Sequence, residues 1–431
     1  MSCEFCNLPQ EALREELLTL ARQYGQIRGM GLSLDMSRGK PSPVQLGFSD
    51  EMLRVISRGD DCFTEEGFDT RNYGLADGVP ELRRIFAALL GVNEEEILLG
   101  GNSSLTLMYD AVCRAMLFGT GGGALPWKDQ GNIKFLCPSP GYDRHFAISE
   151  RFGIEMIPIR MTGKGPDMDE VEAYVNGDKS VKGMWCVPKY SNPTGETYSP
   201  ETVRRIAALR PAAPDFRIFW DMAYALHDLD DTPDVLENIF HLVRGTAGEN
   251  MVLGFFSTSK ITYAGAGVAA IVSSAENIRR AKAEIAYQTI SPDKLNQLRH
   301  AKYLKSAENV RAMMRRHAEV LKPKFDEVVR IFQKELGSCG FASWTEPHGG
   351  YFISLDVLPG TAKRTVELCR SAGVTLTPAG ATYPYGKDPE DKNIRIAPSY
   401  PDIPELRTAM GIVCACAKLA AAEKLTGQTA V

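Results

Sequence analysis

Several things are missing from this chain of 431 residues, and each absence closes a class of function. No apolar run approaches the ~18 residues needed to cross a bilayer, so no membrane partner is expected. The first ten residues carry Glu4 and lack the basic-then-apolar order of a secretory leader. The expected compartment is therefore the cytoplasm. Long basic runs and a helix-turn-helix pattern are also absent. With a formal net charge of -5, nucleic acid is not an expected partner. Internal repeats and low-complexity tracts are missing as well. The ten cysteines include a C-x-x-C pair, Cys3 and Cys6, but no second ligand pair at matching spacing, so no metal site is expected.

What is present is the pattern of a layered α/β protein. Short β-rich runs occur at Glu96–Leu99, Ile133–Cys137, Ile154–Ile159, Gly183–Val187, Arg217–Asp221, Met251–Phe256 and Gly267–Val272. Several are nearly continuous apolar runs, as strands covered on both faces by helices should be. Helical patterns such as Ser104–Phe118 and Glu201–Leu209 lie between them. The alternation predicts a mostly parallel seven-stranded sheet in a large domain over residues 50–310. Residues 1–49 and 311–431 read as a smaller α+β domain. It contains a helix over 11–30, one long charged helix from about residue 300 through Val329, and strands at Phe352–Leu355 and Ile394–Ala397.

Chemistry concentrates at the ends of these strands. Phe255 to Lys260 is an apolar strand that runs into small hydroxyl residues and then a lysine. Burial there would lower the lysine pKa and free its amine as a nucleophile, although a lone lysine after a strand is usually a surface residue. Asp221 closes the Arg217–Asp221 strand, followed by Tyr224. A carboxylate there can hold a protonated ring nitrogen; it can equally cap a helix. Ser191-Asn192-Pro193-Thr194-Gly195 has turn chemistry beyond a strand's carboxyl end, where sites in α/β sheets form. Gly100-Gly101-Asn102-Ser103-Ser104 leads into a helix, a natural phosphate seat or simply a tight connection. Arg395 interrupts an apolar strand and needs a partner there, a structural acid or a ligand carboxylate.

Taken together and in this order, these segments resemble the class I and II aminotransferases of pyridoxal-phosphate fold type I over nearly the whole chain. The resemblance implies pyridoxal 5'-phosphate as cofactor and Lys260 as its covalent anchor and proton carrier. It implies Asp221, Tyr224 and Asn192 as ring ligands, and Tyr142, in Pro140-Gly141-Tyr142, as the stacking ring. Ser103, Ser104, Ser257 and Ser259 fall at the phosphate. Tyr73, in Asn72-Tyr73-Gly74, matches a tyrosine that reaches the neighbouring subunit's phosphate, which implies a homodimer. Arg395, in Asn393-Ile394-Arg395-Ile396-Ala397, matches the arginine that binds the substrate α-carboxylate, with Gly39 and Asn192 beside it. The catalytic set is thus Lys260, Asp221 and Tyr224.

Ser37-Arg38-Gly39-Lys40-Pro41, the stretch Ser259 to Gly267, and Tyr383 to Asp388 look like the MocR-like subgroup, which includes an unusual type of aspartate aminotransferase. That subgroup implies amino transfer from aspartate to 2-oxoglutarate. The alternatives are an aromatic or kynurenine-type aminotransferase, a β-lyase on the same fold, or a cofactor-binding regulator. Arg38, Lys40, Arg144 and Arg299 are the candidate cations for a distal carboxylate. One departure stands out. The family's phosphate-clamping arginine after the lysine is missing, since Gly265-Ala266-Gly267-Val268 holds no basic residue.

Overall fold

The computed structural model describes residues 5–430. All seven expected sheet strands form: β1 (Ile97–Leu99), β2 (Lys134–Ser139), β3 (Glu155–Arg160), β4 (Val181–Cys186), β5 (Arg217–Asp221), β6 (Val252–Ser257) and β7 (Ala269–Val272). Their spatial order is β1-β7-β6-β5-β4-β2-β3. Pairing is parallel from β6 through β5, β4, β2 and β3, while β7 runs antiparallel to both β1 and β6. Every residue of β4 and β5 is buried. Helices cover both faces, so these strands need no alternation and read as largely apolar runs, with Lys182 inside β4 and Arg217 and Asp221 at the two ends of β5.

The reversal at β7 comes from the turn after β6. Thr258 N–H donates to the Val268 carbonyl, and Val268 N–H donates to Thr258 Oγ1 at 2.9 Å. Gly267 sits so close to this turn that a Cβ would lie 2.9 Å from Ser259 N. The two arms then pair at Ser257 and Ala269. The seventh strand thus hands the chain back beneath the loop that carries Lys260.

Three helices matter for the site: α1 (Gln10–Arg28), α2 (Ser104–Phe118), which follows β1 directly, and α3 (Asp143–Arg151) after β2. The long helix expected from about residue 300 is a correction: it is two helices, α4 (Lys294–Leu304) and α5 (Ala307–Leu336). Lys305 turns the chain with φ 62, and Ser306 restarts the helix by accepting the Asn309 N–H at its side chain. Pro323, inside α5, does not end it.

Beyond α5, strands β8 (Ile353–Asp356) and β9 (Asn393–Ile396) pair antiparallel, with Ser354 opposite Arg395. Leu34–Asp35 pairs in parallel with Val374–Thr375 and so ties the N-terminal segment to this region. One apolar cluster joins Leu13, Leu17 and Leu20 of α1 to Leu321 through Leu336 of α5, to β8 and β9, and to α6 (Ile403–Thr426). Two others sandwich the seven-stranded sheet. Val310, Met313 and Met314, at the start of α5, belong to the sheet side. The first two turns of α5 therefore pack with the large layer and its later turns with the small one.

Candidate active site

The carboxyl ends of β5 and β6 lie side by side, because Asp221 is in register with Phe255. Asp221 and the Lys260 loop therefore emerge at one edge of the sheet, as ligand-binding residues do in open α/β folds. Asp221 is buried. Its Oδ1 accepts the Ala223 N–H at 3.0 Å, and its Oδ2 lies 3.1 Å from His145 Nε2 on α3. His145 is stacked on Trp185 at 4.5 Å and 10°. The acid is fixed in place on both oxygens.

Lys260 is half-buried, and its Nζ stands 5.0 Å from the centre of the Tyr224 ring. Burial lowers its pKa, against the pull of Asp221. Tyr224 is buried, and desolvation pushes its hydroxyl well above the usual phenol range. Tyr142 is pushed up to about 12, first by burial and then by Asp221. Its ring meets the His145 ring edge-on at 4.9 Å.

Ser103 occupies the N-cap position of α2 yet makes no side-chain capping bond, leaving its hydroxyl and the first helical N–H groups available. Ser257 Oγ donates to the Asn102 carbonyl at 3.3 Å and accepts the Ser259 N–H at 3.1 Å. These bonds bring the end of β6, with Ser257 and Ser259, against the turn that leads through Ser103 and Ser104 into α2. Tyr73 does not join them. It is 72% exposed on this chain.

Arg395 is buried. Its Nη1 donates to Asp143 Oδ1 at 2.8 Å and to Asn192 Oδ1 at 3.2 Å, and its Nη2 donates to Thr377 Oγ1 at 3.1 Å. Thr377 in turn donates to the Ser37 carbonyl. The guanidinium lies 4.9 Å over the Phe352 ring, and Gly39 is pressed on that same ring, where a Cβ would come within 2.6 Å. Arg395 Nε is buried without a partner among the described residues. An unpaired donor on a buried guanidinium is costly and fits an incoming carboxylate.

Four contributors were not evident from the sequence: His145, Asp143, Thr377 and His227. His227 Nε2 lies 3.3 Å from the Lys260 carbonyl. His145 stands three positions after Tyr142, a first-turn helical spacing that was the available signal. Among the distal-carboxylate candidates, Lys40 is exposed, with its Nζ 3.9 Å over the Tyr400 ring, and Arg144 is exposed. Arg299 is tied to the loop after Lys260: its Nη2 donates to Asn296 Oδ1, and Asn296 Nδ2 donates to the carbonyls of Ala266 and Gly267. Its Nε is buried without a partner among the described residues.

A buried carboxylate, a desolvated lysine, a helix N-terminus ringed with serine hydroxyls and an arginine with an open donor match, in turn, a ring nitrogen, an aldehyde, a phosphate and an amino-acid carboxylate. The donor set fits pyridoxal phosphate and its substrate. Of the possible metal pair, Cys3 lies outside the described residues. No cluster of three or more His, Cys, Asp or Glu suited to a metal occurs among the described residues, and no described helix is long and apolar enough to cross a membrane.

The sheet order and this site define an aminotransferase of the pyridoxal-phosphate fold type I architecture. The chain belongs to the aspartate amino-transferase family, whose model matches residues 8–429. It is 48% identical to an aspartate aminotransferase of Corynebacterium glutamicum over 94% of this chain and 93% of that one. The structure of an aspartate transaminase from the same organism superposes with a TM-score of 0.96 at 46% identity, covering 99% of this chain and 100% of that chain. The α-aminoadipate aminotransferase of Thermus thermophilus, solved with N-(5'-phosphopyridoxyl)-L-leucine, shares the fold at a TM-score of 0.71 and 20% identity, over 91% and 93% of the two chains.

Proposed function

We propose that this enzyme uses pyridoxal 5'-phosphate anchored on Lys260 and moves the amino group of aspartate to 2-oxoglutarate, giving oxaloacetate and glutamate. The observation that carries the cofactor assignment is the convergence of Lys260 and Asp221 at the ends of adjacent parallel strands, opposite a buried arginine with an open donor. The 48% identical relative named for aspartate supports the substrate.

When bound, the cofactor supplies an electron sink for a carbanion at the substrate α-carbon. The remaining work falls to the chain. Asp221, pinned by His145 and the Ala223 N–H, would keep the ring nitrogen protonated. Tyr224 and Asn192 would hold the ring oxygen, and Tyr142 would cover the ring. Arg395, with Gly39 beneath Phe352, would take the α-carboxylate and set the angle of the breaking C–H bond. The amine of Lys260 would take the proton from the α-carbon of the amino donor and, in the second half-reaction, deliver one to the α-carbon formed from the keto-acid acceptor. Ser103, Ser104, Ser257 and Ser259 would hold the phosphate. Arg299, with its unpaired buried Nε beside the Gly265–Gly267 loop, is our candidate for the missing clamp.

We also propose a cytoplasmic homodimer. Tyr73, Tyr287 (96% exposed) and Ile290 (64%) are large apolar side chains left bare on one chain, and Tyr73 would complete the partner's phosphate seat. The two-domain division at residues 49/50 and 310/311, and membership of the MocR-like subgroup, belong to the same reading.

A half-reaction screen across amino acids tests it. Aspartate should yield oxaloacetate and the pyridoxamine form of the cofactor without ammonia. Steady ammonia and pyruvate would make the enzyme a β-lyase. Preference for an aromatic donor or kynurenine would overturn the aspartate assignment. No turnover of any amino acid would leave a cofactor-binding regulator.

A further inference from the structure

Three buried histidines, His227, His300 and His317, converge on the segment from Lys260 to Thr262. His227 Nε2 lies 3.3 Å from the Lys260 carbonyl. His317, on α5, lies against the Ile261 backbone, and His300 Nε2, on α4, meets Thr262 Oγ1 at 2.9 Å. Ile261 and Thr262 have further anchors, because both of their N–H groups donate to the Thr258 carbonyl. The Lys260 carbonyl depends on His227: no other group among the described residues donates to it.

His227 is itself held from several sides. Its N–H donates to the Tyr224 carbonyl at 3.1 Å, and its carbonyl accepts the Gly350 N–H at 2.8 Å. Gly349 presses on that carbonyl, where a Cβ would come within 2.5 Å. The ring stands edge-on to Tyr224, at 5.7 Å, and to Tyr351, at 5.4 Å. A carbonyl can only accept, so Nε2 carries the proton and Nδ1 is a bare acceptor. Nδ1 is buried without a partner among the described residues. Phenylalanine would fill this aromatic slot without that cost; what histidine adds is the Nε2–H. The donor also comes without charge. Burial, and then the nearby Lys260 amine, hold the ring down to about 3. A lysine or arginine donor there would set a second cation behind the amine.

We propose that His227 is a positioning residue for amino transfer: its Nε2–H fixes the Lys260 carbonyl, and with it the backbone from which the lysine amine reaches the substrate α-carbon. The inference rests on Lys260 as cofactor anchor and proton carrier. His227 follows Tyr224 on the same stretch of chain after β5 that carries Asp221. That one stretch therefore sets the ring ligands and the lysine in a common frame. A misplacement of about 1 Å can cost about a hundredfold in rate. A slack Lys260 loop slows the proton step and leaves Arg395 to take the α-carboxylate as before.

His227→Leu removes the donor, and His227→Gln returns an N–H at similar reach. Both are measured as the cofactor-loaded enzyme with aspartate, or with the donor that wild type prefers in the half-reaction screen. His227→Leu should lower kcat by about tenfold or more and keep KM within about twofold of wild type. Deuterium on the donor's α-carbon should slow the variant's half-reaction by a larger factor than wild type's, because proton transfer then limits the rate. Hydrogen–deuterium exchange over residues 257–263 should quicken by about tenfold while β4 stays protected, unlike a general loss of stability. His227→Gln should recover most of kcat and the slow exchange. If His227→Leu does not fold, His227→Phe, which keeps a ring beside the two tyrosines, carries the same test. The proposal is overturned if the variant without the donor keeps its wild-type kcat or isotope effect, or if His227→Gln is equally impaired, which would make the role one of packing. Wild type without a borohydride-fixed band at Lys260 would sink the anchor assignment and this inference with it; a wild-type band with unaffected variants sinks this inference alone.

Discussion

Asp143 and Arg395 form an ion pair at 2.8 Å in the heart of the candidate substrate site, with Asp143 the more exposed of the two. An internal carboxylate therefore rests on the group that an amino-acid carboxylate must reach, and the two compete. Asp143→Asn keeps an oxygen to orient Nη1 but removes the competing charge. KM for aspartate should fall several-fold with kcat little changed. Arg395→Lys loses the fork and one or more charge-assisted bonds, at about 1.5–3 kcal/mol each, and should raise KM by roughly ten- to a hundredfold. Steady-state kinetics on both variants decides it: an unchanged KM in Arg395→Lys would sink the carboxylate role.

Gly39 offers a test from the other side of the same arginine. A methyl group there would sit 2.6 Å from Phe352 Cζ, well inside contact distance, so the ring must shift. Arg395 lies 4.9 Å over that ring and shifts with it. Gly39→Ala should raise KM by about tenfold or more while leaving the absorption spectrum of the bound cofactor unaltered, since the ring ligands are untouched. Altered cofactor binding with normal KM would mean that Gly39 serves a different part of the site.

Lys260→Ala should abolish the visible absorption band that borohydride reduction otherwise fixes to the chain. It should also lower turnover by roughly 10²–10⁴ or more, the range associated with a lost proton-transfer group. Persistence of the reducible band would refute the anchor assignment outright.

The parts of this molecule that could be read ahead were those written locally. Strands β4 and β5 announce themselves because both faces are covered and every residue is apolar or buried. Lys260 and Asp221 stand out because they end such runs. The pairs that complete the site are long-range. Asp143 meets Arg395 across 252 positions, and His145 meets Asp221 across 76. No spacing rule relates residues on α3 to the ends of β5 and β9. The break between α4 and α5 was hidden for a different reason: Ser306 is a good cap, but it falls inside an unbroken amphipathic period, and Lys305 must adopt a left-handed φ that its side chain does not advertise.

Buried histidines make a prediction for stability. His227 is held down to about 3, and His300 and His317 to about 4, in each case chiefly by burial. His300 shows why. Its Nδ1 lies 2.8 Å from the Asn296 carbonyl and must donate, so its Nε2 accepts from Thr262 Oγ1 at 2.9 Å; the neutral tautomer satisfies both bonds. The unfolded chain protonates these rings below the ordinary value of about 6.5, whereas the folded chain refuses the protons until about 4 or lower. Stability should therefore fall as pH drops from 6.5 toward 4, at up to about 1.4 kcal/mol per pH unit for each histidine, and should not depend on these groups above 6.5. His300→Gln removes one such group. It should be less stable than wild type at pH 7.5, yet its stability should decline less steeply between pH 6.5 and 4.5. Urea unfolding across that range, at fixed protein and cofactor concentration, measures both slopes, and equal slopes would show that His300 takes up its proton in the folded state as readily as in the unfolded one.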